Sequence, residues 1–156
     1  MSTILLSLDT STTETGIAIF KNGRYEKSYT IKSNVKSNKL TDMIQKIYQE
    51  ITNISPQIVI CEDMCIVRNA STSRILSELI GAVRGICISQ NIFFDKLRPN
   101  EWRALNLSDK EKLPKKREDC KEWSKHKAKL LFNKDFSSDN ESDAVLIGQA
   151  YINLTT

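Results

Sequence analysis

The chain has few of the residues on which much protein chemistry rests. It contains one histidine, His126, and its four cysteines, Cys61, Cys65, Cys87 and Cys120, include no C-x-x-C pair. That spacing argues against a structural zinc site, and three of the cysteines lie among apolar neighbours, as reduced thiols of a cytosolic protein do. His126 sits among lysines and reads as a surface or phosphate-contacting residue. No basic and apolar leader is present, and no apolar run approaches the roughly eighteen residues of a membrane span. The longest uncharged apolar segments have strand length, so the expectation is a soluble, cytoplasmic protein that engages no membrane. Internal repeats, low-complexity tracts and linkers are also missing, and 156 residues suit a single domain, 1–156, with one good core.

Charge is plentiful, and it is unevenly placed. The net charge is +4, yet Lys96 to Lys134 carries thirteen Lys/Arg against six Asp/Glu, a local excess of +7 that leaves the remainder at −3. Such a segment is either a solvated helix face or a track for phosphates.

The hydrophobic pattern predicts an α/β fold. Ile4 to Leu8 is a nearly continuous apolar run, as in a central strand covered on both faces. Thr10 to Thr15 forms a turn, Gly16 to Phe20 a second strand, and the Asn22-Gly23 hairpin signal leads into a third strand with Tyr25, Tyr29 and Ile31 alternating with polar residues. A helix with Leu40, Met43, Ile44, Ile47, Ile51 and Ile54 at helical spacing ends before Pro56. Gln57 to Cys61 is another apolar strand, followed by a helix with Leu76, Leu79, Ile80, Val83, Ile86 and Cys87 on one stripe and by a fifth strand over Asn91 to Leu97. A short helix near Trp102, a charged and mobile loop over Ser108 to Lys116, a helix with Cys120, Trp123, Leu130 and Leu131 on one side, and a last helix from near Asn140 complete the order. Trp102 and Trp123 read as core or dimer packing.

Acids stand at the ends of two of the apolar strands. Asp9 closes the first, within LLSLDTSTTETGIAIF, and Glu62-Asp63 closes the fourth. A strand of the first kind opens both the RNase H-type nucleases, where the acid holds a metal, and the actin-like ATPases, where the turn after it handles phosphates. The chain is too short for the paired lobes of an actin-like protein, so no nucleotide cofactor is expected. A third acid, Asp143, is followed at +4, +7 and +11 by Ile147, Ala150 and Leu154, which puts its carboxylate on the apolar stripe of the last helix. A carboxylate there is paired or metal-bound. Asp139 and Glu141 read instead as acids that favour a helix start. Asp9, Glu62 and Asp143 would repel one another unless cations lay between them, and hard oxygen ligands suit Mg2+ or Mn2+.

The series LLSLDTSTTETGIAIF, IVICED, RNASTSRILSELIGAVRG and DNESDAVLIGQA resembles, in order and spacing over nearly the whole chain, the RuvC family of Holliday junction resolvases in a short, phage-type version. The resemblance implies an RNase H-like fold with a five-stranded mixed sheet, the first three strands antiparallel and helices on both faces. It implies a homodimer that nicks four-way and other branched DNA with two Mg2+ or Mn2+ ions per site, leaving 5′-phosphate and 3′-hydroxyl ends. A phage-encoded protein of this kind would work in the cytoplasm of a bacterial host. Carried over by position, the catalytic and metal-binding acids are Asp9, Glu62 and Asp143. The remaining site position, three residues before the last acid, falls on Asn140, whose amide oxygen can ligate but carries no charge; Asp139 is the alternative ligand.

DNA would be gripped by Lys115, Lys116, Arg117, Lys121, Lys125 and Lys129, just before the last helix, with Arg68 and Arg74 flanking the N-A-S-T-S start of the second long helix. The resemblance brings the loop Met64 to Asn69 toward the junction centre, with Cys65 where the family often has an aromatic wedge. The second long helix, with Gly81 and Gly85 off its apolar face, is the expected dimer surface. Three other readings stand beside this one: an RNase H-fold nuclease acting on RNA–DNA hybrid, an inactive junction-binding protein, and the actin-like ATPase that the length and the acid Asp143 argue against.

Overall fold

The computed structural model describes residues 2–64 and 69–156. Five strands, β1 (Ile4–Asp9), β2 (Glu14–Lys21), β3 (Arg24–Lys32), β4 (Ile58–Glu62) and β5 (Phe93–Leu97), form one sheet in the order β3-β2-β1-β4-β5. The first three run antiparallel, while β1 pairs parallel with β4 and β4 parallel with β5. The β2–β3 turn is tight because Asn22 and Gly23 both take left-handed backbone angles, φ 53° and 76°.

Five helices cover the sheet: α1 (Lys39–Ile54), α2 (Ala70–Ser89), α3 (Pro99–Leu105), α4 (Arg117–Phe132) and α5 (Asp139–Thr155). Their ends follow local chemistry. Asn69 caps α2 by accepting from the Ser71 and Thr72 amides at 2.9 and 3.4 Å. Pro99 opens α3, where a missing N–H costs nothing. Ser138 caps α5 by accepting from Glu141 N at 3.2 Å.

Pleat alternation sorts the apolar residues onto two faces. Leu6 and Leu8 of β1, with Val59 and Cys61 of β4, pack against Met43, Ile47 and Ile51 of α1 and Leu79, Val83 and Cys87 of α2. Leu5, Ala18, Phe20 and Ile60 face the other way, onto Trp102 of α3, Ala128 of α4 and the buried stripe of α5. Helix α5 is hidden around much of its circumference, from Glu141 and Ser142 through Ala144 to Gly148. Its approach to the sheet is close because small residues line the contact. A methyl on Gly148 would lie 2.3 Å from the Phe20 ring, and Ser7 Oγ donates to the Ala144 carbonyl at 2.6 Å.

Two expected apolar stripes differ from the observed ones. Leu130 and Leu131 are 65% and 47% exposed; α4 instead buries Ser124, Lys127 and Ala128. The Lys127 ammonium is accommodated by Ser108 Oγ at 2.7 Å and Glu111 Oε2 at 2.8 Å. Glu111 also accepts from Trp123 Nε1 at 2.7 Å, so these contacts hold the segment Ser108 to Lys116 against α4. Leu154 is 56% exposed, and the buried stripe of α5 ends at Ala150.

Candidate metal and nucleic-acid site

The strand acids reach the same space through pleat parity. Asp9 follows Leu5 and Ser7 at two-residue steps, and Glu62 follows Ile60, so both point to the α5 face of the sheet. β1 and β4 are in parallel register through Leu8 and Cys61, and one further step sets Asp9 beside Glu62. Across the sheet, Asp9 pairs with Gly16 of β2. Gly16 is the point where α5 comes closest: a methyl there would stand 1.9 Å from the Asn140 carbonyl oxygen. The start of α5 is thus pressed against the strand end that carries Asp9.

A cleft of about 560 Å³ opens at this corner. Asp9, Glu62 and Asp143 line it together with Asp139 and Asn140, and Arg103, Arg117 and Lys121 share its walls. Burial raises the Asp9 carboxyl well above the usual carboxylate range, with the charges of Asp143 and Glu62 adding to the effect and Arg103 opposing it. Glu62 is also raised by burial, against the Trp102 N–H and Arg103. Asp143 is pushed up to about 7 by burial and then by Glu62, with Arg103 and the Ser124 hydroxyl working the other way. Three buried acids whose ionisation is impeded, Asp9 and Asp143 in part by their neighbours' charge, form with the amide oxygen beside them an all-oxygen donor set suited to a hard divalent cation. Among the described residues, no three acid, histidine or cysteine side chains are drawn tightly enough around one point to hold an ion as they stand. The donor chemistry fits, and closing the set around a cation requires side-chain movement.

The two candidates at the start of α5 differ in their partners. Asp139 lies 3.0 Å from Lys125 Nζ and 4.0 Å from Lys121 Nζ. Asn140 is uncharged and lines the same cleft. Glu141, expected as a simple helix-start acid, is buried: it accepts from Ser28 Oγ at 2.6 Å, from Ser137 N at 2.9 Å and from Ser137 Oγ. Burial alone would raise its carboxyl, but these hydrogen bonds outweigh that and hold it below the ordinary value. It ties the start of α5 to β3.

Lys115, Lys116, Arg117, Lys121, Lys125 and Lys129 are all exposed on or just before α4. Arg117 and Lys121 reach the acidic cleft. Lys125 and Lys129 line a smaller adjoining cavity of about 340 Å³ with His126, and Lys129 pairs with Asp135 at 2.9 Å. Arg74 is exposed in the second turn of α2. Arg68 and Cys65 lie outside the described residues.

Sequence reasoning missed two groups at the site. Trp102, expected as packing, is fully buried and also donates its indole N–H to Glu62 Oε2 at 2.7 Å. Arg103, one residue on, stands 4.7 Å above the Trp102 ring, and its Nε has no hydrogen-bond partner among the described residues. It is the one cation that counters the shifts of all three acids. The only signal for either was their position on a short helix directly after β5, the strand beside Glu62.

Sheet order, strand directions and helices on both faces define an RNase H-like α/β protein. Within that class the fold is RuvC-like. The chain superposes on Thermus thermophilus RuvC in complex with a Holliday junction substrate at TM-score 0.77, with 10% identity over 98% of this chain and 94% of that one. It superposes on the fowlpox virus resolvase bound to Holliday junction DNA at 0.67, with 14% identity over 97% and 98% of the two chains. The yeast mitochondrial Holliday junction resolvase Ydc2 gives 0.60, with 10% identity over 96% and 77%. The chain matches no protein-family model and no curated relative. Among the described residues no helix is long and apolar enough to cross a membrane.

Proposed function

We propose that the protein is a divalent-metal-dependent, structure-selective endonuclease that nicks four-way and other branched DNA. The observation that carries this reading is the cleft in which Asp9, Glu62 and Asp143 meet under a wall of Arg103, Arg117 and Lys121, in a fold shared with resolvases that have been captured on junction DNA.

Asp9, Glu62 and Asp143 would hold the cations, with the Asn140 amide oxygen as the fourth donor because Asp139 is already engaged by Lys125. Bound Mg2+ or Mn2+ would supply activation of the attacking water and stabilisation of the departing 3′ oxygen. The protein's own part is positional. Its carboxylates set the reacting corner at the end of the sheet, and the cations of the cleft wall and α4 seat the backbone against it without reading sequence. Arg103 partly offsets the burial and mutual repulsion of the acids in the free protein and would turn toward phosphate as cations take over that role. Paired nicks on a two-fold symmetric junction call for a dimer. Its surface would be the outer side of α2, where Gly81 and Gly85 have open space around them and Ile88 is 68% exposed. Leu79, on the opposite side, is fully buried and belongs to the core.

A labelled four-way junction incubated with and without Mg2+ tests the reading. The wild type should cut only with the ion. Asp9→Asn, Glu62→Gln and Asp143→Asn should each abolish nicking while binding the junction as well or better, since less negative charge then faces the phosphates. A protein that retards junctions but never cuts them with either ion would be a binding protein. One that cuts linear RNA–DNA hybrid in preference would be a hybrid nuclease. Asn140→Asp should lower the Mg2+ needed for half-maximal cutting; an unchanged requirement would remove Asn140 from the donor set.

A further inference from the structure

We propose that Trp102 is the positioning residue of the second acid: its indole N–H clamps one oxygen of Glu62 and leaves the other as the oxygen available to a divalent cation. This rests on the metal-dependent reading above. A buried tryptophan must satisfy its N–H, and here the partner is Glu62 Oε2, at 2.7 Å. Glu62 Oε1 takes no hydrogen bond from the described residues. A glutamate has three side-chain torsions, and fixing one carboxylate oxygen removes most of that freedom before any ion arrives.

The clamp is itself rigidly mounted. Trp102 is fully buried, and the start of its short helix is closed by Glu101, whose Oε2 accepts from Arg98 N at 2.8 Å. Asn106 is buried and donates its side-chain amide both to the Trp102 carbonyl and to the Leu146 carbonyl, each at 2.8 Å. Leu146 lies one turn along α5 from Asp143. A continuous path therefore runs from Glu62 through Trp102 and Asn106 to the helix that carries the third acid. The face of the same indole supports Arg103 at 4.7 Å, so one ring sets the acid and the cation that faces it.

Trp102→Phe keeps an aromatic ring in the core and under Arg103 but removes the N–H. With DNA-free protein, Mn2+ binding followed by the electron paramagnetic resonance signal of the free ion should weaken at least threefold in Trp102→Phe. Junction affinity in EDTA should be unchanged. Equal Mn2+ affinity in the two proteins would overturn the proposal, as would a parallel fall in junction affinity, which would mark general damage. A second measurement does not depend on that variant folding. In Trp123→Phe, Trp102 is the sole tryptophan, and its emission should change as Mg2+ is added, with the change abolished by adding Glu62→Gln. Emission indifferent to saturating Mg2+ would also overturn the proposal. A wild type that holds no Mn2+ would remove the metal-dependent function and this inference together, whereas Mn2+ binding unaffected by Trp102→Phe removes only the inference.

Discussion

Asp143→Asn should make the metal-free protein more stable, with a gain that appears above about pH 4 and is complete near pH 7. The Asp143 carboxyl is raised to about 7 in the folded protein, chiefly by burial and then by Glu62, against about 3.9 in an unfolded chain. The folded state therefore binds the proton more tightly than the unfolded state. The stabilisation that this proton provides is complete below about pH 4 and is lost as the pH rises through 7. A difference of about 3 units, at 1.36 kcal/mol each, sets a ceiling of about 4 kcal/mol. Asp143 shares its proton balance with Asp9 and Glu62, and the cleft is open to water, so about half of that, roughly 2 kcal/mol, is the reasonable expectation. For a domain of this size that is an increase of about 4–8 °C in Tm. The assay is thermal unfolding in EDTA across pH 4 to 8, where the two proteins should coincide at the acid end, diverge progressively between about pH 4 and 7, and keep a constant gap above that. Saturating Mg2+ should reverse the order, because the variant gives up a ligand. A difference independent of pH, or an asparagine variant less stable at pH 8 in EDTA, would show that Asp143 carries no such electrostatic strain.

Gly16→Ala places a methyl where 1.9 Å separates it from the Asn140 carbonyl oxygen; it should cost about 1–3 kcal/mol in urea unfolding and slow nicking at least tenfold at saturating junction, with junction affinity retained. Glu141→Gln removes the charge that Ser28 and Ser137 serve. Because the Glu141 carboxyl is held below its ordinary value, its stabilisation is present above about pH 4.5 and lost as the pH falls further, so the variant should be weaker by about 1.5–3 kcal/mol at pH 7, with the gap narrowing as the pH is lowered below about 4.5, by denaturant titration. Replacing Lys115, Lys116 and Arg117 with alanine should reduce the slope of log affinity against log salt by about 1 for each phosphate that is no longer neutralised; an unchanged slope would make this part of α4 an ordinary solvated face.

The succession of strands along the chain was legible because three signals agreed: the unbroken apolar run of β1, the Asn22-Gly23 turn, and a fourth apolar strand ending in an acid. Which face each acid would take was not. In ILLSLD nearly every position is buried, so alternation gives no parity, and only Ser7, hydrogen-bonded to α5, shows which way Asp9 points. Asp143 was recognisable because a carboxylate on an apolar stripe is costly. Glu141 was not, for the converse reason: its burial against β3 and the hydrogen bond from Ser28, remote in sequence, are tertiary, and the nearby Ser137 that also serves it carries no sequence signal of that role. In α4 the leucines suggested a face that the fold does not use, since Lys127 can be buried once Ser108 and Glu111 supply its partners. Trp102 was legible as a core residue but not as a hydrogen-bond donor, because what an indole N–H meets depends on tertiary packing.

The hydrogen bond from Ser7 to the Ala144 carbonyl joins residues 137 positions apart. It lies beside the corner where Asp9 and Asp143 meet, so the acidic cleft has no precursor in any short segment of the chain. During synthesis at about 5–20 residues per second, β1 to β3 can pair early as local hairpins, while Asp9 and Glu62 wait several seconds for α5. Loop-closure entropy over such a span makes this docking a late event in folding as well. A nascent or partly folded chain therefore has its basic segment before it has its acidic corner, so the proposed DNA grip would exist before the proposed cutting site.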